Sequence, residues 1–199
     1  MKNKKIIAIV GLPGSGKTEV GKYFVELGCA PIRLGQLTLD EVRKRGLMPG
    51  EASERPIREV IRKKHGMGAY ATLNFPKIDS LLKNDDVVVD GLYSWEEYVE
   101  FKNKYGKKLT VIAVYASPKI RHERLAKRKW DKKNDIKMVN RPYTEEQAKE
   151  RDYAEISGLH TGGPIAMADF TIINEGSKTD LSKNLKRTGL LIDKNLKEK

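Results

Sequence analysis

Residues 5–20 read KIIAIVGLPGSGKTEV, and the reading of this stretch decides the fold. The unbroken apolar run Ile6 to Val10 suits a strand buried on both faces, as in a parallel sheet. It passes straight into GLPGSGKT (11–18), which satisfies G-x-x-x-x-G-K-[ST] in the strand-then-helix context that this motif requires. Gly11, Gly14 and Gly16, with Pro13 and Ser15 among them, let consecutive backbone N–H groups turn inward toward phosphate oxygens. The positive dipole end of the following helix faces the same anion. Lys17 is placed to bridge the β- and γ-phosphates of ATP, and the Thr18 hydroxyl to ligate Mg²⁺. The stretch predicts a triphosphate site. Where the terminal phosphate goes, to water or to a second molecule, is a separate question.

Outward from the loop, short apolar strands alternate with helical stretches, the signature of a parallel α/β sheet. Val20, Phe24 and Leu27 recur at helical spacing after the loop. PIRLG (31–35), DVVVDG (86–91), KLTVIAVYAS (108–117) and FTIIN (170–174) are the further predicted strands. Residues 38–84 read as mostly helical, broken at Gly46, Pro49-Gly50 and Gly66, with Pro76 as a kink or restart. Ile57, Val60 and Ile61 supply an apolar face there. PKIRHERLAKR (118–128) opens with proline at a plausible first helical position, and LSKNLKRTGLL (181–191) is the last predicted helix.

The chain of 199 residues suits a single domain, 1–199. No apolar run approaches the roughly 20 residues that span a bilayer, and the N-terminal one is too short for a signal peptide. The expectation is a cytoplasmic protein without a membrane partner. The lone Cys29 excludes an internal disulfide and reads as a core or near-core residue. A net charge of +12 is compatible with nucleic acid, an anionic membrane or small polyanions. With two Trp and four Phe, however, no base-stacking platform is evident, so nucleic acid is possible but not favoured. His65, His122 and His160 lack metal-ligand spacing, and HTGGP (160–164) reads as a turn, not a second phosphate loop.

Asp90, closing DVVVD, is the candidate metal-supporting acid at a neighbouring strand end. The residue after it is Gly91, where many motor ATPases carry a glutamate that activates water. The guanine-reading N-K-x-D and switch D-x-x-G patterns are also unmatched at NKYG (103–106) and DGLY (90–93). Arginines point toward a second substrate. Arg124 and Arg128 share one face of the helix after the fourth strand, and Arg141 and Arg151 flank PYTEEQAKE. Arginines on a closing lid stabilise a transferring phosphoryl group while excluding water. Tyr93 and Trp95, close behind Asp90, either wall an acceptor pocket or pack in the core.

VGLPGSGKT, KRGLMP, VVVDGLYSWEE, ASPKIRHERLAKR, ERDYAEIS and AMADFTIINEGS together resemble nucleoside monophosphate kinases. They are most similar to an archaeal P-loop family labelled adenylate-kinase-related or dephospho-CoA-kinase-like. The resemblance implies a P-loop three-layer α/β/α sandwich with a five-stranded parallel sheet, order 2-3-1-4-5. It also implies a helical acceptor-binding region at about 36–75 and a lid at about 129–152. Arg124 resembles the lid-base arginine that packs on adenine, and Arg128, Arg141 and Arg151 resemble phosphate-contacting ones. The loop INEGS (173–177), with Asn174 and Gly176, would lie near the adenine. Arg33, Arg43 and Arg58 are candidates to grip the acceptor's phosphate. Where the family shows Gly-Asp after the second strand, and an arginine three residues on, this chain has Gly35-Gln36 and Leu39. Gln36 cannot take a proton, so the change leans toward an anionic phosphate acceptor over an alcohol, with Asp40 as a nearby acid. The expected function is an ATP- and Mg²⁺-dependent kinase for a nucleotide-like acceptor, a nucleoside monophosphate first. The alternatives are a dephospho-CoA-type kinase acting on a ribose hydroxyl and an ATPase switch coupled to nucleic acid or protein.

Overall fold

Five short strands form one sheet: the inner three bury side chains on both faces, while the two edge strands bury chiefly Ile32 and Ile172. In the computed structural model, which describes residues 4–129, 131, 133–135 and 143–197, they are β1 (Ile6–Val10), β2 (Ala30–Arg33), β3 (Val87–Leu92), β4 (Leu109–Tyr115) and β5 (Phe170–Ile173). All neighbours run parallel, in the order β2-β3-β1-β4-β5. Ile6 pairs with Val87 on one side and Leu109 on the other, so β1 is the central strand. Ile6, Ala8 and Val10 pack on one side of the sheet with Tyr70, Phe75 and Phe101. Ile7 and Ile9 pack on the other with Val20, Phe24 and Leu185. Helices therefore cover both faces, giving the predicted three layers.

The helices are α1 (Lys17–Glu26), α2 (Gln36–Lys44), α3 (Glu51–His65), α4 (Ala69–Thr72), α5 (Phe75–Leu81), α6 (Trp95–Tyr105), α7 (Pro118–Ala126), α8 (Glu145–Tyr153), α9 (Gly162–Ala166) and α10 (Lys178–Lys197). A π-helical turn, Ala154–Gly158, extends α8. The breaks expected between 38 and 84 fall where the glycines and prolines stand, and Pro76 starts α5 instead of kinking a longer helix. Two apolar residues depart from expectation. Leu27 is exposed because α1 stops at Glu26 and Leu27 caps it. Val60 is also exposed, since Ile57 packs against Leu39 and Val42 of α2 with Ile61 beside it, one turn away on the same face. Helix α9 begins within HTGGP, which the sequence presents as a turn. Cys29 is buried in the core.

Strand order changes direction beside β1, and the C-terminal strand ends there open a crevice where open α/β sheets bind ligands. The loop after β1, Asp90 at the end of β3 and Asn174 just after β5 all lie along this edge. Among the described residues, no helix is long and apolar enough to cross a membrane.

Candidate active site

The loop's glycines are required by what touches them. Gly14 has φ +79°, and a Cβ there would lie 2.5 Å from the Arg121 carbonyl oxygen. Gly16 has φ +104°, and its Cβ would collide with the Asn174 amide, which donates to the Ser15 carbonyl at 2.8 Å. Helix α7 and the INEGS loop thus hold the phosphate loop from two sides. Lys17 donates to the carbonyls of Gly11 and of Leu12, the latter at 3.1 Å, and burial pulls its ammonium down to about 8. The Thr18 hydroxyl donates to Asp90 Oδ2 at 3.4 Å, which joins the two candidate metal ligands across β1 and β3.

A cavity of about 530 Å³ opens on the loop. Pro13, Gly14, Gly16, Lys17, Thr18 and Asp90 form its floor. Arg124, Arg128, Asn174 and Gly176 line its far side. Arg124 is fixed there by donating to the carbonyls of Asn174 at 2.9 Å and Gly176 at 3.4 Å. Gly11 and Ser15 stand behind this surface. A second cavity, about 600 Å³, lies under α2, α3 and the π-helical turn, with Arg33, Arg58, Thr38 and Tyr70 in its wall. The two share a wall of Arg33, Tyr93, Arg151 and Glu155.

Arg151 is held hard in that wall. Its guanidinium reaches Glu155 at 3.0 Å, Glu51 at 3.4 Å and Glu54 at 3.7 Å, and donates to the Tyr143 hydroxyl at 2.7 Å. Arg58 meets the same Glu51 and Glu54. Arg33 pairs loosely with Asp90 at 3.9 Å, and its Nε and Nη1 make no hydrogen bond. Burial pushes the Tyr93 phenol up to about 12, so it stays neutral. Two of the expected acceptor residues stand outside both cavities. Arg43 is exposed and pairs with Asp40, and the Gln36 amide donates to the same Asp40 at 3.0 Å. Of the lid expected at 129–152, Arg141 and residues 130, 132, 136–140 and 142 lie outside the described residues.

A family model described as an AAA domain matches residues 7–157, and the chain falls within that family. A UPF0200 protein of Thermococcus kodakarensis is 33% identical over 184 residues, covering 92% of this chain and 95% of the relative. One from Sulfurisphaera tokodaii is 38% identical over 175 residues, covering 87% and 89%. The chain belongs to the UPF0200 family. A longer relative from Archaeoglobus fulgidus, named UPF0200/UPF0201 protein, is 34% identical over 96% of this chain, which spans 57% of that protein. Among solved structures, shikimate kinase from Bacteroides thetaiotaomicron superposes with TM-score 0.59 at 15% identity, covering 95% of this chain and 98% of that one. A gluconokinase from Sinorhizobium meliloti gives 0.58 at 15% identity, covering 98% and 97%. These likenesses speak for the fold, which is P-loop kinase-like.

Two features of the UPF0200 site escape sequence reading. The first is the cluster of carboxylates formed by Glu51 and Glu54 with Glu155, which comes about a hundred residues later in the chain. The second is Arg121, read only as part of a charged helix. It donates to both oxygens of Asp152 at 2.7 Å and to the Pro13 carbonyl at 3.1 Å, while His122 meets Asp152 at 2.8 Å. Helix α8 is thereby tied to the phosphate loop through one buried arginine. The only advance signal was that Arg121 and His122 precede Arg124 on a helix facing the loop.

Proposed function

We propose that this UPF0200 chain is an ATP- and Mg²⁺-dependent kinase that moves the γ-phosphate of ATP to a nucleotide-like small molecule. The supporting observation is the pair of similar cavities meeting at Arg33, Tyr93, Arg151 and Glu155. A hydrolase needs one substrate chamber and a water. Two chambers with a common charged wall suit transfer between two bound molecules held in line. The acceptor-side volume of about 600 Å³, with aromatic Tyr70 and Tyr93 among arginines, fits a molecule of nucleotide size. Nucleoside monophosphates, as in the adenylate-kinase-related reading, and ribose hydroxyls are the two acceptor types.

In this scheme the backbone of 11–16 holds the ATP phosphates, and Lys17 leaves its loop carbonyls to meet the β- and γ-oxygens. Arg128 and Arg151 neutralise charge on the transferring group, and Arg124 lies beside the adenine. Thr18 and Asp90 supply two hard oxygen donors side by side, which suits Mg²⁺. Among the described residues no group of three or more acidic, His or Cys side chains forms a metal cage. Phosphate oxygens and water would complete such an ion's shell, and Mg²⁺ bound there would neutralise phosphate charge.

ADP production from Mg·ATP alone, then with AMP, CMP, UMP, dTMP, GMP or dephospho-CoA, tests the reading. Strong stimulation by one acceptor is expected. A flat panel with appreciable basal hydrolysis would overturn it in favour of an ATPase switch. The longer Archaeoglobus fulgidus relative, whose name couples UPF0200 with UPF0201, suggests one further reading, a UPF0201 chain as partner. Co-elution of the two purified chains is expected, and separate elution at micromolar concentration would sink that reading.

A further inference from the structure

Glu155 carries a polar atom that nothing in the fold explains. It lies in the π-helical turn after α8, and its side chain is 5% exposed. Oε1 accepts from Arg151 Nε at 3.0 Å, whereas Oε2 is buried and has no hydrogen-bond partner. A buried carboxylate oxygen without a donor is costly, and native proteins keep few of them without a use. The residue also belongs to the walls of both cavities, where a transferred group must cross. Its π-helical setting, rare in proteins, recurs at functional positions.

We propose that Glu155 receives the proton of an acceptor hydroxyl, so that the acceptor presents an alcohol and not a phosphate to the γ-phosphorus. This rests on the kinase reading and narrows it. The neighbouring carboxylates are less suited. Both oxygens of Glu51 are engaged, by Arg58 and by Arg151. Asp90 belongs to the nucleotide-side cavity, with Thr18 and Arg33. After β2, Leu34, Gly35 and Gln36 bring no acid into the acceptor cavity. A hydroxyl brings the donor that Oε2 lacks. In the step itself, the acceptor oxygen bonds to the γ-phosphorus as the bond from that phosphorus to the β,γ-bridging oxygen breaks. ADP leaves with that electron pair, the hydroxyl proton passes to Glu155, and the carboxyl returns it to solvent after product release.

The product bond gives the first test. Mg·ATP is incubated separately with adenosine, cytidine, dephospho-CoA, AMP, CMP and UMP, and phosphorus NMR identifies what forms. A phosphate ester supports the inference. A phosphoanhydride overturns it and leaves the kinase reading standing. Inorganic phosphate alone throughout removes the kinase reading, and this inference with it. With the responsive alcohol, Glu155→Gln keeps the acceptor for Arg151 but loses the base. It should lower kcat at least about 10²-fold while KM for the alcohol moves less than about threefold. Glu155→Asp should recover part of the rate, because it restores a carboxylate one methylene short. Should Glu155→Gln fail to bind Mg·ATP in calorimetry, Glu155→Asp carries the test alone, with kcat down at least about tenfold. Unchanged kcat in either folded variant overturns the assignment.

Discussion

Lys17 shows how much one burial decides. Its ammonium is pulled down to about 8 by desolvation, against attraction from Glu155 and Asp90. Unfolded, it titrates near its ordinary 10.5. Between those values the unfolded chain holds more protons, so this residue's contribution to stability rises with pH across the window from about 8 to 10.5. Triphosphate binding reverses the preference, because an anion at the loop favours the charged form. At pH 8.5 the free site is mostly neutral, and binding Mg·ATP should take up roughly 0.8 of a proton. Calorimetry in two buffers of different ionisation enthalpy reads this directly. Lys17→Met should abolish the uptake, and equal heats in both buffers for the native protein would show that Lys17 is already charged before ATP arrives.

At the scale of elements, the contact that matters runs between α8 and the phosphate loop. Arg121 is 3% exposed and Asp152 7% exposed, and their paired hydrogen bonds are backed by His122. Asp152→Ala leaves Arg121 buried without its counter-ion, which costs about 3–5 kcal/mol and lowers Tm by roughly 10 °C or more. Below that melting point the variant should bind ATP more weakly, since Arg121 also anchors the Pro13 carbonyl. A melting curve and ATP affinity matching the native protein would show that the tie is idle. The same contact marks the limit of what the sequence discloses. Strands and the GLPGSGKT loop are legible because their signals are local, an apolar run beside a glycine-rich turn. The breaks at Gly46, Gly50 and Gly66 are legible for the same reason. Arg121 with Asp152, or Glu51 with Arg151, is a partnership across 31 or 100 residues that no local pattern encodes. Gln36 is the converse case. Its position just after β2 suggested the acceptor site, yet α2 turns its amide toward Asp40.

Across the whole molecule, Arg33 at the end of β2, Tyr93 just after β3 and Glu155 in the α8 turn form one wall with Arg151, which also pairs with Glu51 and Glu54 of α3. Removing it outright confounds two effects. Arg151→Ala strips Glu51, Glu54 and Glu155 of a shared counter-charge, and buried carboxylates left unpaired destabilise the fold by several kcal/mol. Arg151→Lys separates them. It keeps a cation among the three carboxylates but loses the planar fork that reaches several oxygens at once. A purely structural Arg151 predicts a folded Arg151→Lys protein with near-native phosphoryl transfer. An arginine that also meets the transferring phosphoryl group predicts a folded protein whose transfer is slower by at least about 10², because charge without the fork stabilises that group poorly. The measurement is kcat with the responsive acceptor, alongside Mg·ATP affinity and Tm for the same preparation. We expect Tm within a few degrees of native, Mg·ATP affinity within about tenfold, and the loss concentrated in kcat, since the interaction tightens only as the phosphoryl group leaves ADP. Near-native kcat would return Arg151 to the role of a structural cross-brace and leave Lys17 and Arg128 to carry the developing charge.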